Sequence, residues 1–244
     1  MRTLILSDIH ANLTALQAVL ADAAPFDRVF CLGDVVGYGP DPNACIETMM
    51  ALPELYCVKG NHDAALLGLI DVHAFKDEAR LSLEWLATQI RPENYHWLQE
   101  LPERIEVEDF TLAHGSPRDP LWEYVMDVRV ARINMDAFET SACLVGHTHI
   151  PSIFKMEGET EKSTHLYLIG PDQPFKLNFK SIVNPGSVGQ PRDHNPLSSY
   201  LVYDDQADFP WTYHRVPYDV EAVQRRILKA GLPLRHAARL SEGW

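Results

Sequence analysis

Several features that would narrow the chain's setting are scarce or missing. The four cysteines, Cys31, Cys45, Cys57 and Cys143, are scattered, and no two form a C-x-x-C pair. That argues against a cysteine-built zinc site and against a disulfide framework, and reads as buried reduced thiols in a cytoplasmic protein. No run approaches the roughly eighteen apolar residues of a membrane span, so no membrane partner is expected. The opening Met1 to Asp8 meets a charge after too few apolar residues for a signal peptide. Positive charge is also short, with 21 Lys and Arg against 34 Asp and Glu and a net charge of −13. Phosphate backbones repel such a surface, which argues against duplex nucleic acid as a partner but leaves room for a small basic site. Internal repeats and low-complexity segments are lacking too.

The 244 residues, 46% of them hydrophobic, are ample for a full core. An apolar strand, Leu4-Ile5-Leu6, ends at Ser7-Asp8. A helix over 12–24, with Asn12 as N-cap, buries Leu13, Leu16, Val19 and Leu20 on one face. A second strand, 29–32, ends in Gly33-Asp34; a turn-rich loop and a helix over about 42–52 follow. A third strand, 55–59, ends in Gly60-Asn61-His62-Asp63. This β-α-β-α-β alternation predicts a parallel or mixed sheet covered by helices. Residues 64–101 read as a helical insertion. Strands at 104–107 and 110–113, a helix near 127–138 and a strand at 142–145 come next. After Pro151 the period shifts toward two, with strands expected at 152–156, 165–169, 179–183, 199–203 and 211–216. They suggest a second, largely antiparallel sheet. A C-terminal helix over 219–229 precedes a tail without clear periodicity. The expected architecture is α/β, one domain over 1–244, a four-layer αββα sandwich of two mixed sheets flanked by helices.

The chemistry gathers at five strand ends: Asp8 with His10, Asp34, Asn61 with His62, His114, and His147 with His149. From extended backbone, residues i and i+2 point the same way, so Asp8 and His10 can converge. Open α/β sheets place their sites beyond the carboxyl ends of strands. Mixed nitrogen and oxygen donors suit zinc, manganese, iron, cobalt or nickel better than calcium or magnesium alone. Four of these His with the two Asp and the Asn make seven donors, too many for one tetrahedral ion but suited to two ions sharing a carboxylate, for which Asp34 is the best bridge. Two such ions, roughly 3.5–4 Å apart, can generate a hydroxide and stabilise in-line attack at phosphorus.

In order and type, Asp8-x-His10, Gly33-Asp34, Gly60-Asn61-His62-Asp63, His114 and Gly146-His147-x-His149 resemble the five motifs of the calcineurin-like metallophosphoesterases. The likeness extends over roughly residues 3–203 and is strongest to the diadenosine tetraphosphatase-like bacterial and archaeal phosphodiesterases, through the loop Gly33 to Pro42. The resemblance implies one metal on Asp8, His10, Asp34 and His149 and a second on Asp34, Asn61, His114 and His147. It implies two divalent transition-metal ions, manganese first, with iron, zinc, nickel or cobalt as alternatives, and a bridging hydroxide as nucleophile. His62 resembles the general acid for the leaving alkoxide, with Asp63 orienting it. Ala11 departs from the pattern, since many relatives carry Gly there; only local loop effects are expected.

Weaker candidates for substrate contacts are Asn12, the backbone around Gly186 and Ser187, Arg118 and Arg192. The small-residue loop 184–189 reads equally as an anion cradle or an ordinary turn. Either Arg could neutralise phosphate, and Tyr38 could stack on a base or simply pack. The leading expectation is a dinuclear hydrolase of phosphodiester or nucleotide-type substrates. The alternatives are a nucleotide or phosphoprotein phosphomonoesterase and a non-catalytic metal-binding scaffold, with a homo-oligomer left open.

Overall fold

Side-chain alternation along the strands sets up three apolar layers. In β1 (Arg2–Leu6), Leu4 and Leu6 join one buried cluster while Ile5 joins another; in β2 (Arg28–Cys31), Val29 and Cys31 are separated from Phe30 in the same way. A stretch apolar at successive positions, as 4–6 and 29–31 are, must be covered on both faces, because successive side chains point to opposite sides. The computed structural model describes residues 1–158, 163–168 and 170–244.

Between β1 and β2 lies α1 (Leu13–Ala23), and α2 (Pro42–Met50) leads to β3 (Leu55–Cys57). Then come α3 (Asn61–Leu66), a 3-10 turn (Val72–Ala74), α4 (Asp77–Gln89) and α5 (Pro92–Glu100). Strands β4 (Arg104–Val107) and β5 (Phe110–Ala113), helix α6 (Val128–Met135) and β6 (Ala142–Leu144) follow. The remainder is β7 (Ser152–Met156), β8 (Thr164–Tyr167), β9 (Pro174–Phe175), β10 (Ser181–Asn184), β11 (Ser198–Asp204), β12 (Trp211–Val216), α7 (Val220–Lys229) and α8 (Leu234–Glu242).

Two six-stranded mixed sheets form, in the orders β3-β2-β1-β11-β12-β9 and β4-β5-β6-β10-β7-β8. Ile5, Phe30, Leu112, Leu144 and Val183 interleave between them. Leu16, Val19, Ile46 and Leu86 cover the outer face of the first sheet, while Ala131 and Met135 of α6 cover Cys143 and Ile182 of the second. The result is the expected αββα sandwich. Both sheets keep their parallel strands side by side: β1, β2 and β3 in one, β5, β6 and β10 in the other. Their carboxyl ends carry the motif residues. All four cysteines are free and buried. Among the described residues, no helix is long and apolar enough to cross a membrane.

Three expectations change. The strands after Pro151 do not build a sheet of their own. β11 adds antiparallel to β1 and carries β12, whereas β10 pairs with β6 and β7. Period-two patterning says which face is buried, not which edge is joined. The tail after Lys229 contains α8, whose Ala237 and Leu240 pack with Leu232 against Val223 and Ile227 of α7. Its four apolar positions, two of them small alanines, are a weak signal for a helix. The strand expected at 165–169 is β8, ending at Tyr167; Ile169 lies outside the described residues.

Candidate metal centre and cleft

Turns past the strand ends, rather than strand pleat, bring the donors together. Asp8 and His10 lie beyond β1 with φ of 54° and 48°, and Asp34, His147 and His149 adopt 52°, 65° and 60°. Left-handed backbone costs a non-glycine residue roughly 1 kcal/mol or more and persists only where its surroundings enforce it. Here they do. The amides of Asp8, His10 and Ala11 donate to the carbonyls of Gly33, Asp34 and Val35, stitching the first loop to the second. Ala11 itself sits at φ 51°, the region where a Gly would be unstrained. Gly60 lies so close to Asp34 that a Cβ there would meet its carboxylate and its amide.

Seven polar side chains, all buried, converge on this junction. His10 Nε2 lies 3.1 Å from His149 Nε2, and His149 Nε2 lies 3.3 Å from an Asp8 oxygen. His114 Nε2 lies 3.0 Å from Asn61 Oδ1 and 3.1 Å from His147 Nδ1. Asp34 Oδ2 stands between the groups, 3.6 Å from His10 Nε2 and 3.3 Å from His114 Nε2. Two clusters therefore share one carboxylate.

Tautomers follow from the outer hydrogen bonds. His10, His114 and His149 each direct Nδ1 at a carbonyl, of Val36, Leu32 and Gln190 respectively. With Nδ1 donating, each Nε2 turns a lone pair inward, the arrangement a metal-binding imidazole needs. His147 is oriented otherwise, its amide donating to Asp8 and its ring stacked 3.9 Å from Tyr124. Facing lone pairs at 3.1 Å repel unless a cation or a proton sits between them. The donor set therefore fits divalent ions.

Electrostatics agree with that fit for three of the four imidazoles. Burial keeps His10, His147 and His149 well below the usual imidazole range, so they are neutral donors. His114 goes the other way: burial opposes its charge, but Asp34 outweighs it and raises the ring to about 9. Burial likewise opposes charge on Asp34, yet His114 and His62 hold it below the carboxylate range. Burial, with Asp34 adding, pushes Asp8 up to about 7.

Residues 1–208 match the model of the calcineurin-like phosphoesterase superfamily domain. The chain belongs to the calcineurin-like phosphoesterase superfamily. It is 40% identical to a metallophosphoesterase from Sphaerobacter thermophilus whose crystal structure superposes with a TM-score of 0.90, covering 100% of this chain and 99% of that one. An uncharacterized protein of Methanocaldococcus jannaschii is 36% identical over 237 residues, 94% of this chain and 93% of its own length. A symmetrical bis(5'-nucleosyl)-tetraphosphatase of Glaesserella parasuis is 28% identical over 167 residues, 66% of this chain and 58% of its own.

This phosphoesterase-superfamily chain treats the remaining candidates unevenly. His62 lines the cleft beside the centre, its ring 4.4 Å from Tyr38 and 5.0 Å from Phe75, its Nδ1 buried without a partner. Gly37 lies hard against that ring and could carry no side chain there. Asp63 does not touch His62. Its carboxylate accepts from the amides of Gly60, Val35 and Val36, tying α3 to the Asp34 loop. Adjacent helical side chains diverge by about 100°, and among the described residues no hydrogen bond joins the two side chains.

Arg118 is engaged by Glu123 at 2.5 Å and does not line the cleft. Asn12 is spent on Ala15 and Gly189, as N-cap and loop tie. Around Gly186 and Ser187 the amides of Gly186, Val188, Gly189 and Gln190 all have internal acceptors, and Ser187 Oγ donates to Asp8 O. The loop buttresses the first turn instead of cradling an anion. Arg192 does line the cleft.

Residues that sequence reasoning missed complete the walls of this cleft of about 200 Å³: Phe75, Lys76, Trp122, Tyr124 and Arg239. None lies within a recognisable motif. An aromatic cluster at 122–124 just past His114-Gly115-Ser116-Pro117 was the one available signal.

Proposed function

We propose that the chain is a dinuclear metal-dependent phosphoric ester hydrolase acting on phosphodiester or nucleotide-type substrates. The observation that carries the reading is the shared position of Asp34, within 3.6 Å of an imidazole nitrogen from each cluster. Asp8, His10, Asp34 and His149 would hold one ion, and Asp34, Asn61, His114 and His147 the other. Manganese is our first assignment, with iron, zinc, nickel and cobalt compatible with the same mixed donors. Two such ions supply Lewis acidity toward a phosphoryl oxygen and a nucleophile at neutral pH.

The chain's own groups do the rest. His62 projects from the start of α3 into the cleft, where it donates a proton to the departing alkoxide. Asp63 acts one step removed, holding the Gly60 to Val36 backbone that positions both Asp34 and His62. Neutral Asn61 contributes an oxygen without adding negative charge that would repel phosphate. Arg192, beside Tyr38 in the cleft lining, offsets substrate charge. Phe75, Trp122 and Tyr124 offer aromatic surface to a nucleobase or aryl ester. The tetraphosphatase among the relatives supports a nucleotide-type substrate. A cytoplasmic location is part of this reading, supported by four unpaired thiols.

The test is turnover of bis- and mono-p-nitrophenyl phosphate by metal-loaded protein, before and after chelation. The diester should turn over faster, and chelation should abolish the activity. A protein holding two ions that cleaves no phosphoester would overturn the proposal.

A further inference from the structure

Among the described residues, the cleft is lined by two guanidinium groups that form no ion pair with a carboxylate. Arg192 comes from the loop after β10; Arg239 comes from α8, nearly fifty residues later and on the far side of the two C-terminal strands. Among the described residues neither forms an ion pair, although most of the other arginines do. Both reach the same acceptor, Gln190 Oε1, at 2.9 Å from Arg192 and 3.4 Å from Arg239. Arg192 also donates to the Tyr38 hydroxyl at 3.3 Å. The Nε atoms of both are buried without a hydrogen-bond partner.

Two like charges sharing one neutral amide is an unfavourable arrangement by itself. Its cost shows in Arg239, whose pKa burial and then Arg192 push down. Structural arginines are normally held by carboxylates, since an unpaired buried charge is expensive. In a chain of net charge −13, two half-buried guanidinium groups without an ion pair beside a candidate metal centre are available to an anion. Planar guanidinium donors suit the bidentate recognition of phosphoryl oxygens.

The two differ in depth. Arg192 lies near enough to the centre to act electrostatically on Asp8, His10, His62 and His149. Arg239 is felt instead by Arg192, Tyr38 and His236. Positive charge thus runs outward from the centre, with α8 supplying its outer step. The helix is anchored for the purpose: Leu240 and Ala237 pack on α7, and His236 sits 4.9 Å from Tyr38.

We propose that Arg192 and Arg239 form a second anion subsite, and that Arg239 on the C-terminal helix selects substrates in which another phosphoryl group adjoins the one at the centre. Arg239 is then a specificity-determining residue. The inference rests on the phosphoester reading for the position of the first phosphoryl group. It excludes a simple diester lacking further charge as the best substrate, and it gives a role to a cleft-lining residue on a helix outside the matched residues 1–208.

Calorimetric titration of the metal-loaded protein with AMP and with α,β-methylene-ADP, in excess free metal, tests the subsite. The two ligands share a base, so the aromatic wall cancels in their ratio, and the methylene bridge prevents cleavage between the two phosphorus atoms. Wild type should bind the diphosphate roughly tenfold more tightly than AMP, as one charge-assisted contact warrants. Arg239→Met should bring the ratio close to one and Arg239→Lys should restore part of it. Arg235→Met, on the exposed side of the same helix, should keep the wild-type ratio. Melting curves confirm folding, and the Lys variant stands in if the Met variant fails to fold. A wild-type ratio near one, or a ratio unchanged in Arg239→Lys and Arg239→Met, overturns the subsite even if diester turnover is robust. Absence of all phosphoester turnover would instead overturn the proposed function, because binding is read without catalysis.

Discussion

Replacing His62 by Gln separates the three roles this side chain could have. The ring is buried and wedged among Tyr38, Phe75 and His10 at centroid distances of 4.4, 5.0 and 5.0 Å. Gln occupies a comparable volume, so the packing loss should stay within about 1.5 kcal/mol. The chemical loss should be larger, because a positioned general acid contributes typically 10²–10⁴-fold, or about 3–5 kcal/mol of barrier. That loss is conditional on the leaving group. A dinucleoside monophosphate expels an alkoxide that needs a proton, whereas bis-p-nitrophenyl phosphate expels a phenolate stable without one. The variant should therefore lose on the order of 100-fold or more in kcat on the first substrate and less than about tenfold on the second. Metal content should stay at two ions per chain. Equal losses on both substrates would refute the acid assignment in favour of a positioning role. Loss of an ion would make His62 a ligand, a role its place within 4.8 Å of His10 and Asp34 donor atoms allows.

Gly60→Ala should be far more harmful than its one methyl suggests. The added carbon would collide with the Asp34 carboxylate and amide, so we expect bound metal to fall below two per chain, a fold weaker by about 1–3 kcal/mol, and loss of turnover. Elemental analysis with thermal melts checks this, and retention of both ions would refute it. His236 gives a pH prediction. Burial lowers its pKa to about 4, with Glu78 O, Arg239, Glu78 and Arg192 around it. A ring depressed in the fold stabilises fully above the unfolded value near 6.5 and loses that stability as pH falls toward 4. The decline is about 1.4 kcal/mol per pH unit and up to about 3 kcal/mol in all. His236→Phe should show a shallower fall in Tm between pH 7 and pH 5 than wild type, and parallel curves would disprove the assignment.

Much of the centre was legible because its donors are local to strand ends. Asp8, Asp34, Asn61, His114 and His147 each follow an apolar strand within a few residues, and in parallel strands that placement alone puts them at one edge of a sheet. The reason expected for the convergence of Asp8 and His10 was nevertheless wrong. Extended pleat would align them, but both occupy left-handed turns, held there by hydrogen bonds to the Asp34 loop that pairing of β1 with β2 creates. Asp63 shows the same limit, since its neighbour in sequence is not its neighbour in space.

By itself the sequence determined the strand and helix alternation, the donors and their order, and the family to which they belong. These depend on side-chain type and on spacing along the chain, which are written residue by residue. Only the tertiary structure decided which polar groups remain available. Asn12, Arg118 and the Gly186-Ser187 loop were candidates until Gly189, Glu123 and the backbone of the first turn proved to occupy them. Arg239 was unremarkable until α8 carried it to Arg192. A hydrogen bond saturates, and a buried charge is governed by what faces it. Availability is therefore a property of contacts between distant segments, which one-dimensional patterning does not encode.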